Sequence, residues 1–169
     1  YFVASIHRFQ NIYQRDELAR IVDEMLAAAE FGSVHFILHP PTAIRLKKYG
    51  LMETLVEAPG VNVRPRMPYT DFLALISDAR AVFSDGGSNQ EELSYLGVPT
   101  ILYRERSERP DGLGANIRLR SDVASSMSDF VASGDIDKLR KPSRIEDDVM
   151  PSKMTVDALQ RWSGNRSSD

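Results

Sequence analysis

The string Ser84-Asp85-Gly86-Gly87-Ser88-Asn89-Gln90-Glu91-Glu92 sets two adjacent glycines between an apolar run and a helical pattern. Without a Cβ, glycine lets the backbone approach a ligand closely and enter conformations closed to other residues. Ser88 followed by Glu91 fits a capping box, which would start a helix at the glycine turn. Free N–H groups and the positive end of the helix dipole would then face outward as a cradle for phosphate. Glu92, one turn further on, has the carboxylate needed to accept both hydroxyls of a ribose. The same string also reads as a tight strand-to-helix turn and nothing more. It is not a P-loop, because no Lys-Ser or Lys-Thr follows the glycines.

A second group is the loop Arg104-Glu105-Arg106-Ser107-Glu108-Arg109-Pro110-Asp111-Gly112-Leu113-Gly114. Arginine offers a rigid fork of donors to a pyrophosphate, although Glu105 and Glu108 would equally make this a self-neutralised surface cluster. A third is Ser5-Ile6-His7-Arg8, where His7 can donate to a phosphate or shuttle a proton, or be an ordinary hydrogen-bonded histidine. His35 and His39 share one strand face by their spacing, but no third ligand is near in sequence, so no metal site is expected. Tyr69 and Phe72 open a helical segment, where an aromatic ring either stacks on a nucleobase or belongs to the core.

These groups need a scaffold, and the composition describes an ordinary one. The chain has 169 residues, 42% hydrophobic and 27% charged, enough for one domain with a substantial core. A net charge of −3 removes the electrostatic footprint of a dedicated nucleic-acid binder while leaving room for a local anion pocket. The absence of cysteine excludes disulfides, thiolate catalysis and Cys-ligated metals. No apolar run has membrane-spanning length. The opening Tyr1-Phe2-Val3-Ala4 reads as a strand from the first residue, as expected for a piece of a longer protein.

Short apolar runs alternate with helical patterns. Strands are expected at Phe2–Ile6, Val34–Leu38, Val61–Val63, Ala81–Ser84, Pro99–Tyr103 and Asn116–Leu119. Between them, Leu18, Ile21, Val22, Met25, Leu26 and Ala29 mark one helix face, and helical segments are expected over Ala43–Glu57 (interrupted at Gly50), Tyr69–Ala79 and Asn89–Leu96. Beyond residue 120 the pattern weakens to Ser126–Ser133, Asp137–Leu139, a link over Lys141–Pro151, and a helix over Thr155–Trp162 with a frayed tail. The alternation predicts a doubly wound, Rossmann-like α/β fold with a parallel sheet. Ligands of such sheets lie beyond the carboxyl ends of the strands, which makes the polar residues after Ile6, Leu38, Ser84 and Tyr103 the candidates.

In order and spacing these pieces resemble the C-terminal half of the UDP-N-acetylglucosamine 2-epimerases over residues 1 to about 120. The strings that carry the resemblance are His7-Arg8-Phe9-Gln10-Asn11, Asp85 to Glu92, Leu96-Gly97-Val98-Pro99 and Ser107-Glu108-Arg109-Pro110-Asp111. The resemblance implies one half of a GT-B architecture, with UDP held in a cleft between two Rossmann-like domains. It implies an enzyme that interconverts UDP-N-acetylglucosamine and UDP-N-acetylmannosamine by eliminating and re-adding UDP, with no cofactor and no metal. By the same resemblance His7 contacts the phosphates and is the candidate catalytic group. Phe72 lies beside the uracil, Gly86, Gly87 and Ser88 form the diphosphate turn, Glu92 binds the ribose, and Arg109 binds the diphosphate.

The chain departs from the family pattern at Gly86, where a serine is usual, at Ser88, which replaces a glycine, and at Met67, where a glutamine often meets the uracil. The proton-transfer carboxylates of the family belong to the N-terminal half, so the isolated chain is expected to be inactive. Residues 1–150 are read as the UDP-binding domain and 151–169 as a helix and tail crossing to that missing half. The expected partners are a UDP-sugar and the N-terminal domain of the same protein, with no nucleic acid and no membrane. A homodimer of the full-length protein is left open, and the expected location is cytoplasmic. Two other readings stand beside this one: a nucleotide-sugar-dependent GT-B glycosyltransferase domain, and a non-catalytic α/β module.

Overall fold

Successive residues face opposite sides of a strand, so a strand apolar at every position must be covered twice. In the computed structural model, which describes residues 1–145 and 151–164, this is how the centre of the sheet is built. The strands are β1 (Phe2–Ser5), β2 (Val34–Leu38), β3 (Val61–Pro65), β4 (Ala81–Ser84), β5 (Thr100–Leu102) and β6 (Ile117–Leu119). All pair in parallel, in the order β3-β2-β1-β4-β5-β6. Every residue of β1, β4 and β5 is buried.

The helices are α1 (Phe9–Ile12), α2 (Arg15–Ala29), α3 (Pro40–Lys48), α4 (Met52–Glu57), α5 (Tyr69–Ser77), α6 (Gly87–Leu96), α7 (Met127–Ala132) and α8 (Pro151–Gly164). On one face, Phe2, Ala4, Phe36, Phe83 and Ile101 pack with Leu18, Ile21, Val22 and Met25 of α2 and Met127 and Val131 of α7. On the other, Val3, Ile37, Val82 and Leu102 pack with Phe72 and Ile76 of α5 and Leu93 of α6. Each of the larger of these side chains contributes roughly 2 kcal/mol on burial, so the two-sided core is the main source of stability. The doubly wound fold is thus as expected, and the α2 stripe differs in that Ala28 is fully buried while Leu26 and Ala29 are only partly so.

Several boundaries differ from the sequence reading, each for a local reason. The segment over Ala43–Glu57 is two helices, and the break is Gly50, at a φ of +71°. The Pro40-Pro41 pair opens α3 rather than merely closing β2, since proline needs no N–H partner in a first helical turn. Helix α1 is too short to show a period. Ser126 caps α7, accepting from the Asp129 N–H at 3.0 Å. Part of the link over Lys141–Pro151 and the end of the tail, 146–150 and 165–169, lie outside the described residues. Helix α8 begins four positions before the expected Thr155. Among the described residues no helix is long and apolar enough to cross a membrane.

Candidate functional site

The chain runs β1-β2-β3 toward one edge of the sheet and β4-β5-β6 toward the other, so the strand order reverses between β1 and β4. A crevice opens beyond the carboxyl ends of those two strands. There a cleft of about 290 Å³ is lined by residues that include Ser5, His7, His39, Arg66, Met67, Tyr69, Phe72, Gly86, Gly87, Ser88 and Asn89. His7, Phe72 and the glycine turn, three separate expectations, therefore line one cleft. Arg109 and Glu92 stand at its border rather than in its lining.

One end of the cleft is built on α6. Its N-cap is Gly86, with no side-chain capping bond, and the helix begins at Gly87. The expected capping box does not form: Ser88 lies inside the helix, and Glu91 pairs with Arg109 Nη1 instead. Ser84 takes over part of the capping work from below, its buried hydroxyl accepting from the Gly86 N–H and from Asn89 Nδ2, both at 3.1 Å. The N–H groups of Gly87, Ser88 and Asn89 fall in the first turn, where no intrahelical acceptor exists. Neither Gly86 nor Gly87 has a positive φ, so the turn needs glycine for space and not for conformation. A Cβ on Gly87 would lie 3.3 Å from Arg109 Nε, and one on Gly86 would lie 3.4 Å from His7 Cε1.

His7 is held by the first residue after β4. Asp85 has no solvent exposure, and its carboxylate accepts from the backbone N–H groups of His7 and Arg8, the latter at 2.8 Å, and from Asn11 Nδ2 at 2.8 Å. Asn11 Nδ2 also donates to the Tyr103 carbonyl at 3.0 Å, so one amide joins the ends of β1, β4 and β5. His7 Nδ1 lies 3.2 Å from Asp85 Oδ1, within ion-pair distance but without a hydrogen-bond alignment. The His7 ring stacks on His39 at 4.4 Å. His39 Nε2 meets Ser5 Oγ at 3.2 Å. Burial, then the neighbouring His7 and Arg66, hold the His39 pKa down to about 4, so its ring is neutral at ordinary pH. His35, in β2, packs instead against Tyr1, and His39 follows that strand as the N-cap of α3, so the two do not share a strand face. Among the described residues no three His, Asp or Glu side chains gather as metal ligands.

The other end of the cleft belongs to α5. Phe72 is 8% exposed and is at once core and cleft wall. Tyr69, one turn earlier and exposed, donates from its hydroxyl to Glu92 Oε1 at 3.0 Å. Glu92 Oε2 is buried and has no partner. Glu92 sits in the second turn of α6, which starts at Gly87, earlier than the capping box implied.

Asp85 and Asn11 stand in the strings read from the sequence, but nothing there assigned them their task. Position offered the one available signal for Asp85: it directly follows a strand at the ligand edge. His39 reaches the cleft from the place expected of a candidate, directly after Leu38, whereas Arg66 reaches it only through the fold.

The family profile described as UDP-N-acetylglucosamine 2-epimerase matches residues 1–129. A UDP-N-acetylglucosamine 2-epimerase of Methanocaldococcus jannaschii is 33% identical over 121 residues, covering 69% of this chain and 33% of that protein. One of Methanococcus maripaludis is 30% identical over 118 residues, covering 69% of this chain and 32% of that protein. The chain thus spans about a third of the length of these curated relatives. Among solved structures, the UDP-GlcNAc 2-epimerase of M. jannaschii superposes with a TM-score of 0.73 at 27% identity, over 85% of this chain and 40% of that one. Its complex with UDP-GlcNAc and UDP superposes with a TM-score of 0.75 at 24% identity, over 96% of this chain and 45% of that one.

Proposed function

The chain belongs to the UDP-N-acetylglucosamine 2-epimerase family, and from that premise we propose that it is the UDP-binding half of an enzyme interconverting UDP-N-acetylglucosamine and UDP-N-acetylmannosamine. Residues 1–150 form the nucleotide domain in this reading, and 151–169 carry the chain back toward the other half of the protein. Cytoplasmic work in polysaccharide supply is part of the same proposal and rests on the family alone.

In the reaction a proton leaves C2 of the sugar and the C1–O bond breaks, its electron pair departing with UDP. UDP then adds back to C1 as a proton returns to C2 on the opposite face. This chain holds the nucleotide throughout. The N–H groups of Gly87, Ser88 and Asn89 and the guanidinium of Arg109 face the charge that develops on the departing diphosphate, where preorganised donors lower the barrier most. His7, fixed through Asp85, meets the phosphates from the β1 side. Phe72 supports the base, and Glu92 accepts the ribose hydroxyls. The groups that move the C2 proton come from the rest of the protein.

The observation that carries this reading is Glu92: a buried, unpartnered carboxylate oxygen beside a cleft whose far wall is a helix N-terminus with open donors. Replacing Glu92 with Gln keeps its size and removes its charge. Hydrogen bonds to charged groups contribute about 1.5–3 kcal/mol each, so UDP affinity should fall at least about ten-fold by calorimetric titration. The melting temperature should move little, and 2′,3′-dideoxy-UDP should bind weakly to both proteins. Unchanged UDP affinity together with a sharp loss of stability would make Glu92 a scaffold residue and remove the site from this turn.

A further inference from the structure

The loop after β5 carries Arg109 but has no regular structure of its own. Its ion pairs explain little of its placement. The Arg109–Glu91 pair is about half exposed on both sides, and such pairs contribute little. The main chain of the loop is held from another place. Gln90, in α6, has no solvent exposure. Its Nε2 donates to the carbonyls of Arg109 at 2.9 Å and Asp111 at 3.0 Å. Its Oε1 accepts from Ser107 Oγ at 2.6 Å. The same Ser107 hydroxyl accepts from the Arg109 N–H at 3.2 Å.

A buried amide side chain is costly unless its donors and acceptor are answered. Here the partners of the amide, the Arg109 and Asp111 carbonyls and the Ser107 hydroxyl, all lie on the one loop, so the amide's own need for partners draws that loop onto α6. The consequence falls on Arg109, gripped at its carbonyl by Gln90 and at its N–H through Ser107. Its guanidinium is left beside Gly87, at the open end of the helix. Anchoring the backbone of a long side chain before a ligand arrives lowers the entropy lost on binding.

We infer that Gln90 is a positioning residue: it latches the loop after β5 onto α6 so that Arg109 stands ready at the phosphate end of the cleft. The inference rests on the nucleotide-binding reading of that cleft. Gln90 touches no ligand; it acts through Arg109.

The test is a double-mutant cycle on UDP affinity with Gln90→Leu, Arg109→Ala and the pair together, measured on this chain. Each single variant should weaken UDP binding about ten-fold, and the pair should lose about ten-fold as well, not about a hundred-fold. Amide hydrogen exchange in the ligand-free Gln90→Leu protein should rise over residues 104–117 while β1 and β4 keep their protection. Ser107→Ala, on the loop and outside the core, should act in the same direction by about three-fold, and Ser107→Thr should restore binding because it keeps the hydroxyl. That variant keeps the test open should Gln90→Leu fail to fold. Losses that multiply in the cycle would overturn the latch, as would intact affinity in Ser107→Ala and Gln90→Leu beside a clear loss in Arg109→Ala. A wild-type chain that does not bind UDP would sink the functional reading and this inference together, a result distinct from failure of the latch alone.

Discussion

Two clefts open along the same edge of the sheet, on either side of the loop after β1. One, about 290 Å³, lies against α5 and α6; the other, about 750 Å³, lies against α2 and the loop after β5. The larger is richer in arginine, yet three of its arginines, Arg20, Arg104 and Arg120, are already paired. Glu24 Oε1 pairs with Arg20 at 2.8 Å and with Arg120 at 2.9 Å, and Glu24 Oε2 accepts from the Tyr103 hydroxyl at 2.5 Å. Arg104, its side chain 5% exposed, pairs with Glu108 at 2.6 Å. The smaller cleft has the reverse character: first-turn N–H groups without intrahelical acceptors, and one carboxylate oxygen without a donor. Unspent hydrogen-bonding capacity, not volume or formal charge, separates a place for a ligand from a structural network.

The sharpest way to probe the smaller cleft's foundation is Asp85→Ala. It strands the N–H groups of His7 and Arg8 and the amide of Asn11 at the junction of three strand ends. A loss of about 3 kcal/mol or more is expected in denaturant unfolding. A loss below about 1 kcal/mol would mean that these donors find other partners.

In the larger cleft, Glu24→Leu should cost about 2 kcal/mol, because the buried Tyr103 hydroxyl loses its acceptor and two guanidinium groups each lose one of theirs. Its effect on UDP affinity should stay within about two-fold, below the ~1.4 kcal/mol that marks a ten-fold change. Weakened UDP binding in this variant would erase the distinction between the two clefts.

A third effect concerns pH. His39 takes up a proton near pH 6.5 when unfolded and only near 4 when folded, burial being the main cause. Between those values the unfolded state binds more protons, so stability declines as pH is lowered through that window and is fully present above it. His35, also lowered chiefly by burial, adds in the same direction. The melting temperature should therefore drop from neutral pH toward about 4, and His39→Gln should flatten part of that slope. An unchanged slope would show that the cleft histidine is not its source.

Much of this protein was legible along the chain because it depends on local chemistry. Apolar runs such as Phe2–Ser5 and Ala81–Ser84 are continuous because a central parallel strand is buried on both faces, and the α2 stripe shows the helical period directly. His7, Phe72, Gly86, Gly87 and Ser88 could be picked out because each stands at a strand end or a helix start. Arg109 was legible as part of a loop at that edge. The capping box misled because Ser88–Glu91 is a statistical signature whose partners are free to choose otherwise. In the fold Glu91 lies within reach of Arg109, and Ser84 already serves the turn.

The sequence by itself determined the sheet, the order of its strands' carboxyl-end loops, and the residue types those loops deliver, since these follow from hydrophobic period and turn chemistry. Only the tertiary structure decided which polar groups are spent and which stay open. Asp85, Asn11 and Gln90 are consumed in joining segments 74, 92 and 19 positions apart, while Glu92 keeps a free oxygen. Hydrogen-bond satisfaction is a pairwise property of groups brought together by folding, and no single stretch of chain carries it.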